Sequence, residues 1–237
     1  MKSTQHGAYL LQLIQFRAIN AYLLEEEDGL TLIDAGMSGS TKGIMRAIEQ
    51  YGKPLTRITL THAHGDHVGD IAQIVEAYPE ADLALGARTA AFLRDGPFLL
   101  PDEPQDKLSG SYVTCDVQAD RTVTDGDQIG SLRVITTPGH SPDHLSFLDV
   151  RDGTLIAGDA FQTLGGIAVS GVMRWRFPLP AVATWQPALA AQSAAHLLAL
   201  KPTRLAVGHG RVLDDPLDAM TAAVEEAGKN TRIAVYG

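Results

Sequence analysis

One cysteine, Cys115, in 237 residues excludes an intrachain disulfide and leaves any metal site with at most a single thiolate. A lone cysteine of this kind is expected to pack as a small apolar side chain. Basic residues are also in short supply. With 19 Lys and Arg against 28 Asp and Glu, the net charge is -9. That balance gives no overall attraction for nucleic acid or an anionic membrane, so neither is expected as a partner. Long apolar runs are missing too. The N-terminal stretch MKSTQHGAYLLQLIQFRAIN has one early lysine and an apolar segment broken by Gln12, too short for a signal-peptide core or a membrane span. A cytoplasmic location follows as the default expectation.

No low-complexity tract or linker divides the chain, and a single domain over residues 1–237 is the simplest organisation. Its 45% hydrophobic content suffices for a sizeable core. Strand-like and helix-like patterns alternate from end to end, which is the mark of an α/β protein. AINAYLLEEEDGLTLIDAG reads as two strands joined at Asp28-Gly29, and STKGIMRAIEQYG as an amphipathic helix closed by Gly52. A strand in LTRIT comes next; beyond it Val68, Ile71, Val75 and Tyr78 recur at helical spacing. The second half repeats the theme with strands in SLRVIT, DHLSFLDV and RLAV, a tight turn at Asp152-Gly153, and a helix whose start is read at Thr184. Residues 95–111 and 161–180 resist assignment. They are expected to be long loops, the second carrying Arg174, Trp175 and Arg176 in a candidate lid.

The first of those strands ends in LTHAHGDHVGD, which places three of the chain's eight histidines and two aspartates together. In an extended or turning loop, His62 and His64 point the same way and can reach one ion, while Asp66 and His67 can turn toward a second. Helix capping by Asp66 would account for one residue and leave three histidines without a role. Imidazole and carboxylate suit zinc, iron or manganese. His140, Asp159 and His209 each follow a strand as well; singly, each could equally be turn material. His6, near the N-terminus and expected to be mobile, and His196, in a helix among apolar neighbours, are set aside.

Taken in order, H-x-H-x-D-H, then His140, Asp159 and His209, this chain resembles the metallo-β-lactamase fold superfamily of metal-dependent hydrolases. The resemblance runs from about Asp34 to His209. It implies a four-layer αββα sandwich of two mixed sheets and a pair of divalent ions, zinc first, with iron or manganese as alternatives. By the same resemblance His62, His64 and His140 hold one ion, Asp66, His67 and His209 the other, and Asp159 bridges them. Such ions, about 3.5 to 4 Å apart, share a bridging hydroxide that serves as nucleophile. Asp34 matches the family's early aspartate, expected to orient the metal-bearing loop, although a turn-forming role serves as well. His144 is read evenly between a structural role and one at the leaving group.

An Asp at 159, where the antibiotic-degrading branch has Cys or Ser, resembles the glyoxalase II, lactonase and nuclease branches instead. Only 28 residues follow His209, which argues against glyoxalase II proper. Gln162 stands where acyl-homoserine lactonases often carry Tyr. The expected activity is hydrolysis of a small carboxylic ester, lactone or thioester, with Asp66 or Asp159 accepting a proton and His144 helping the leaving group. Phosphoester hydrolysis is the enzymatic alternative, with Arg174 and Arg176 as the basic pair; β-lactamase activity ranks lower, and a metal-binding sensor is the non-enzymatic one. A small-molecule substrate is expected, and a homodimer is one open reading of the assembly.

Overall fold

Strand β3 (Ile19–Glu25) shows how the layers are set. Ala21 and Leu23 join one apolar cluster and Tyr22 and Leu24 another, because successive side chains of a strand leave on opposite faces. A strand buried on both faces belongs inside a sandwich. The computed structural model describes residues 1–236, with side chains to residue 231.

The first sheet has seven strands in chain order: β1 (Lys2–His6), β2 (Leu10–Gln15), β3, β4 (Leu30–Ile33), β5 (Leu55–Thr59), β6 (Asp82–Gly86) and β7 (Arg121–Val123). β1 to β4 are antiparallel neighbours, and β4 to β7 are parallel. The second sheet takes β8 (Gln128–Ile129), β9 (Leu132–Thr136), β10 (Leu145–Asp149) and β11 (Thr154–Ile156). After a ribbon of β12 (Phe161–Gln162) and β13 (Ala168–Val169), it adds β14 (Arg204–Ala206) and β15 (Leu213–Asp214). Its order is β15-β14-β11-β10-β9-β8, with β11 and β14 parallel.

Helices α1 (Thr41–Tyr51), α2 (Gly65–Val68), α3 (Ile71–Ala77) and α4 (Ala87–Asp95) belong to the first half. Three of them pack on the outer face of the first sheet through Ile44, Ile71, Ile74 and Phe92. Helix α5 (Leu179–Val182) is short; α6 (Pro187–Ala199) and α7 (Leu217–Tyr236) cover the second sheet through Ala194, Leu197, Met220 and Ala223. Between the sheets lie Tyr22, Ile33, Leu132, Phe147 and Ile156. The order is helix, sheet, sheet, helix: the αββα sandwich with two mixed sheets.

Four local expectations need correction. The helical spacing from Val68 to Tyr78 is cut at Gly69 and Asp70, where Gly69 adopts φ +50 and lies against the carbonyl oxygens of Ala35 and Gly36. A side chain there would collide with that backbone, so the chain bends and starts a new helix. Thr184 caps no helix. Pro187 keeps Gln186 extended and opens α6 itself, as proline favours the first helical turn. His6 belongs to β1, its ring 3.0 Å from the Gln12 side-chain oxygen, so it is held in the sheet. Finally, residues 161–180 contain the β12-β13 ribbon, which makes them only partly loop.

Candidate metal centre

All seven candidate ligands sit just beyond strand ends at one edge of the sandwich. His62, His64, Asp66 and His67 follow β5, Asp159 lies in a single 3-10 turn (Gly158–Ala160) after β11, and His209 follows β14. His140 lies between β9 and β10. Loops at strand ends carry chemistry because their backbones are held by the sheet while their side chains point into open space. Six of the seven are buried, and Asp66 is 28% exposed.

The hydrogen bonds fix which nitrogen of each ring bears a proton. Asp34 holds the rare left-handed conformation, φ +61. From there its carboxylate accepts the Thr61 N–H at 2.7 Å, the Thr61 hydroxyl at 2.9 Å and His67 Nδ1–H at 2.7 Å. The Thr61 hydroxyl has thus spent its hydrogen, and accepts His62 Nδ1–H at 3.0 Å. His64 donates through Nε2 to the Ser109 carbonyl, 3.2 Å, and His209 through Nδ1 to the Ala18 carbonyl, 3.0 Å. His140 Nδ1 faces the hydroxyls of Thr184 and Ser170, each 3.3 Å away. Both already donate elsewhere, to the carbonyls of Pro180 and Asp159. Each of the five rings therefore turns a lone pair inward.

Those lone pairs converge. His62 Nε2 is 3.0 Å from His64 Nδ1, which is 3.1 Å from His140 Nε2. Nearby, His209 Nε2 lies 3.3 Å from Asp66 Oδ2 and 3.1 Å from Asp159 Oδ2. The Asp159 carboxylate spans both groups, with Oδ2 3.4 Å from His140 Nε2 and Oδ1 3.4 Å from His67 Nε2. Ligand atoms within each of the trios His62, His64, His140 and Asp66, His67, His209 lie within 4.8 Å of one another. His67 Nε2 and Asp159 Oδ1 are buried without any hydrogen-bond partner. Lone pairs and carboxylates facing each other in a dry site repel unless a cation sits among them, so the donor set fits divalent metal.

Electrostatics separates the same two groups. Burial and the surrounding imidazoles push His62 well below the ordinary histidine value, burial does the same to His140, and His64 falls to about 4. Burial also disfavours charge on His67 and His209, but Asp159 outweighs it; His67 rises well above the ordinary value, and His209 reaches about 10. Asp159 is held well below the usual carboxylate range, since His209 and His67 overcome its burial. One group is thus built of neutral imidazoles, while in the other the Asp159 carboxylate favours a positive charge on His67 and His209, a proton standing where a cation would otherwise balance it.

His144 departs from expectation. Its Nδ1 bonds the Thr137 hydroxyl at 2.8 Å and its Nε2 accepts the Asp159 N–H at 3.0 Å, so neither nitrogen is free for a leaving group. Burial pushes its pKa down to about 3, which keeps that nitrogen an acceptor. Gln162 is buried and turns its amide toward the Phe177 carbonyl. Several supporting residues escaped the sequence reading. Asn20 bonds the carbonyls of Val207 and Gly210 at 2.8 Å and so holds the loop bearing His209; Asp143 accepts the Ala63 N–H at 2.8 Å between two ligands. Thr61, next to His62 in sequence, was the one within reach of a motif reading.

A cavity of about 430 Å³ opens onto His64, Asp66, His140, Asp159 and His209. Both unassigned stretches reach it, through Gly110 and Ser111 on one side and Phe177 and Pro180 on the other. Larger hollows of about 580 and 670 Å³ lie elsewhere and touch none of these ligands.

Residues 14–209 match the model of the metallo-beta-lactamase superfamily. Protein YobT of Bacillus subtilis is 47% identical over 233 residues, covering 97% of this chain and 100% of its own. The probable metallo-hydrolase YflN of the same organism is 31% identical, covering 81% and 80%. A hydroxyacylglutathione hydrolase of Rhodopseudomonas palustris is 33% identical over 56% of this chain and 48% of its own. The solved structure of TTHA1623 in a di-iron-bound form superposes with a TM-score of 0.63 at 27% identity, over 90% of this chain and 97% of that one. The chain belongs to the metallo-beta-lactamase superfamily and is a metal-dependent hydrolase.

Proposed function

We propose that the protein hydrolyses a small carboxylic ester, lactone or thioester at a dinuclear centre, the whole chain acting as one hydrolase domain. The observation that carries the reading is Asp159, whose two carboxylate oxygens reach toward both imidazole groups. In this reading His62, His64 and His140 hold one ion, Asp66, His67 and His209 the second, and Asp159 joins them. Zinc is the proposed metal, iron and manganese being compatible with the same donors. When bound, such a pair supplies Lewis acidity for a carbonyl oxygen and ionises water near neutral pH.

The chain's own residues do the rest. Asp66 is the ligand carboxylate most open to the cavity, and is assigned the proton released as water attacks. It holds that proton only briefly, because His209 overcomes the burial of its carboxyl and keeps the pKa well below the usual range. His144 acts as a positioning residue by accepting the Asp159 N–H. Thr61 and Asp34 orient the rings of His62 and His67.

The cavity wall favours carbonyl over phosphoryl substrates. Among the described residues lining it none is Lys or Arg. Arg174, half of the basic pair expected there, instead bonds the Glu226 carboxylate at 2.8 and 2.6 Å and the Ile167 carbonyl at 2.6 Å. No lysine or arginine is then found among the described lining residues to add to the metals' own attraction for a phosphate. The test is a screen of metal-replete protein against esters, lactones, thioesters, β-lactams and phosphoesters, with metal content measured in the same preparation. Carbonyl substrates should be cleaved, and His62→Ala or Asp159→Ala should lose both turnover and metal. Undiminished turnover by metal-stripped protein would refute the reading.

A further inference from the structure

The cavity wall away from the ligands is apolar and carries side chains that nothing among the described residues covers. Leu179 and Val182 stand one turn apart on α5, so they share a face, and both border the cavity although each is 63% exposed. Ile19 and Met37 border the same cavity, Met37 at 40% exposure. Phe177 continues this wall inward, its ring 5.2 Å from that of His209. An apolar strip therefore leads from the ligands to the surface.

Large apolar side chains left exposed beside a catalytic centre mark where a ligand's own apolar part is to lie. The charge distribution agrees. Among the described residues lining the cavity, the ionisable side chains besides histidines are Asp66 and Asp159, so away from the ions a negative substituent on the substrate would find no Lys or Arg to receive it. The geometry points to a substrate carrying an uncharged apolar chain next to the scissile carbonyl, laid along Phe177, Leu179 and Val182. This assignment rests on the ester-hydrolase reading and adds to it the part of the substrate that does not react. The chain can belong to the acyl or to the alcohol side of the ester, and both place the same chemistry on the wall.

Two substrate series separate these sources. In one, p-nitrophenyl esters run from acetate through butyrate and hexanoate to octanoate; in the other, acetate esters run from ethanol to octanol and are followed by acid release. Each methylene buried on the wall should raise kcat/KM up to about fourfold, and the hexanoyl or hexyl member should exceed the two-carbon member by about tenfold or more. Leu179→Ser and Val182→Ser should each cut that ratio by about threefold or more. Both positions are exposed, so neither change threatens the fold. Val150→Ser, at a 54% exposed position outside the cavity lining, should leave the ratio alone.

A rise in either series that the α5 variants flatten supports the assignment and identifies the side bearing the chain. Equal rates at all lengths in both series, or faster cleavage of a succinyl monoester than of the butyryl ester, would overturn it and leave the ester-hydrolase reading standing. If no member of either series is cleaved while phosphoesters are, both readings fall together.

Discussion

Asp34 shows what one side chain contributes to the centre without touching the cavity. It takes three hydrogen bonds, from the Thr61 backbone, the Thr61 hydroxyl and His67, in a backbone conformation that few residues other than glycine, asparagine and aspartate adopt easily. Asp34→Asn keeps that conformation but loses the charge that fixes His67 Nδ1–H, and should weaken metal binding about tenfold; Asp34→Ala should approach about a hundredfold and also lower stability. Competition against a chelating dye measures the first effect and urea unfolding the second. If Asp34→Asn and Asp34→Ala bind metal as the parent does, Asp34 is only a turn residue. The sequence pointed to the residues whose type is itself diagnostic, since seven His and Asp in that order have few other uses, and the fold brings all seven together. It disclosed less about their companions. Asn20 and Asp143 look like any polar residue near a strand, and their partners lie 187 and 80 positions away. His144 is the reverse case, a telling residue type whose ring direction depends on Thr137 and the Asp159 backbone.

Among elements, the strand ends were legible and the turns that shape the centre were not. A β-branched strand running into a histidine cluster announces its loop. Nothing in GSYV announces that Gly110, at φ +102, lies where a Cβ would strike the His64 ring at Nε2, with the neighbouring Ser109 carbonyl accepting that ring's proton. Gly208 plays the same part after β14, where a Cβ would strike the Asp159 carboxylate and come within 2.6 Å of the His67 ring. Gly110→Ala should therefore displace His64 and deplete the three-histidine group, and Gly208→Ala should deplete the group around Asp159. Elemental analysis of folded variants should find less metal per chain than in the parent. Gly228→Ala is the informative contrast: inside α7, with open space where its Cβ would go, it should retain full metal and gain up to about 1 kcal/mol of stability. Parent-like metal content in both Gly110→Ala and Gly208→Ala would show that the loops yield without disturbing the ligands.

For the molecule as a whole, the candidate ligands divide between the two halves of the sandwich. His62, His64, Asp66 and His67 come from the loop and short helix α2 after a strand of the first sheet, and His140, Asp159 and His209 from connections of the second. Neither half owns a complete trio of neutral imidazoles, because His140 completes the one begun by His62 and His64. Protein contacts already sew the halves together, through the Tyr22 hydroxyl on the Val207 carbonyl at 2.7 Å and the Asn20 amide beside it. Metal bound across the seam would add to them, stabilising the folded chain by about 2.7 kcal/mol at a hundredfold excess over Kd if the unfolded chain binds none. Chelation should accordingly lower Tm, reversibly on adding metal back. Hydrogen exchange should then quicken together in residues 60–68, 157–160 and 206–210, since each segment loses a shared anchor, while the β1-β2 hairpin, remote from every ligand in sequence, should change little. A Tm indifferent to chelator, in protein shown by elemental analysis to have lost its metal, would mean that protein contacts such as those of Tyr22 and Asn20 lock the halves without it. The shared core and the other bonds across the seam, such as Ala63 N–H to Asp143, would hold the halves with them, and the ions would serve chemistry without serving the fold.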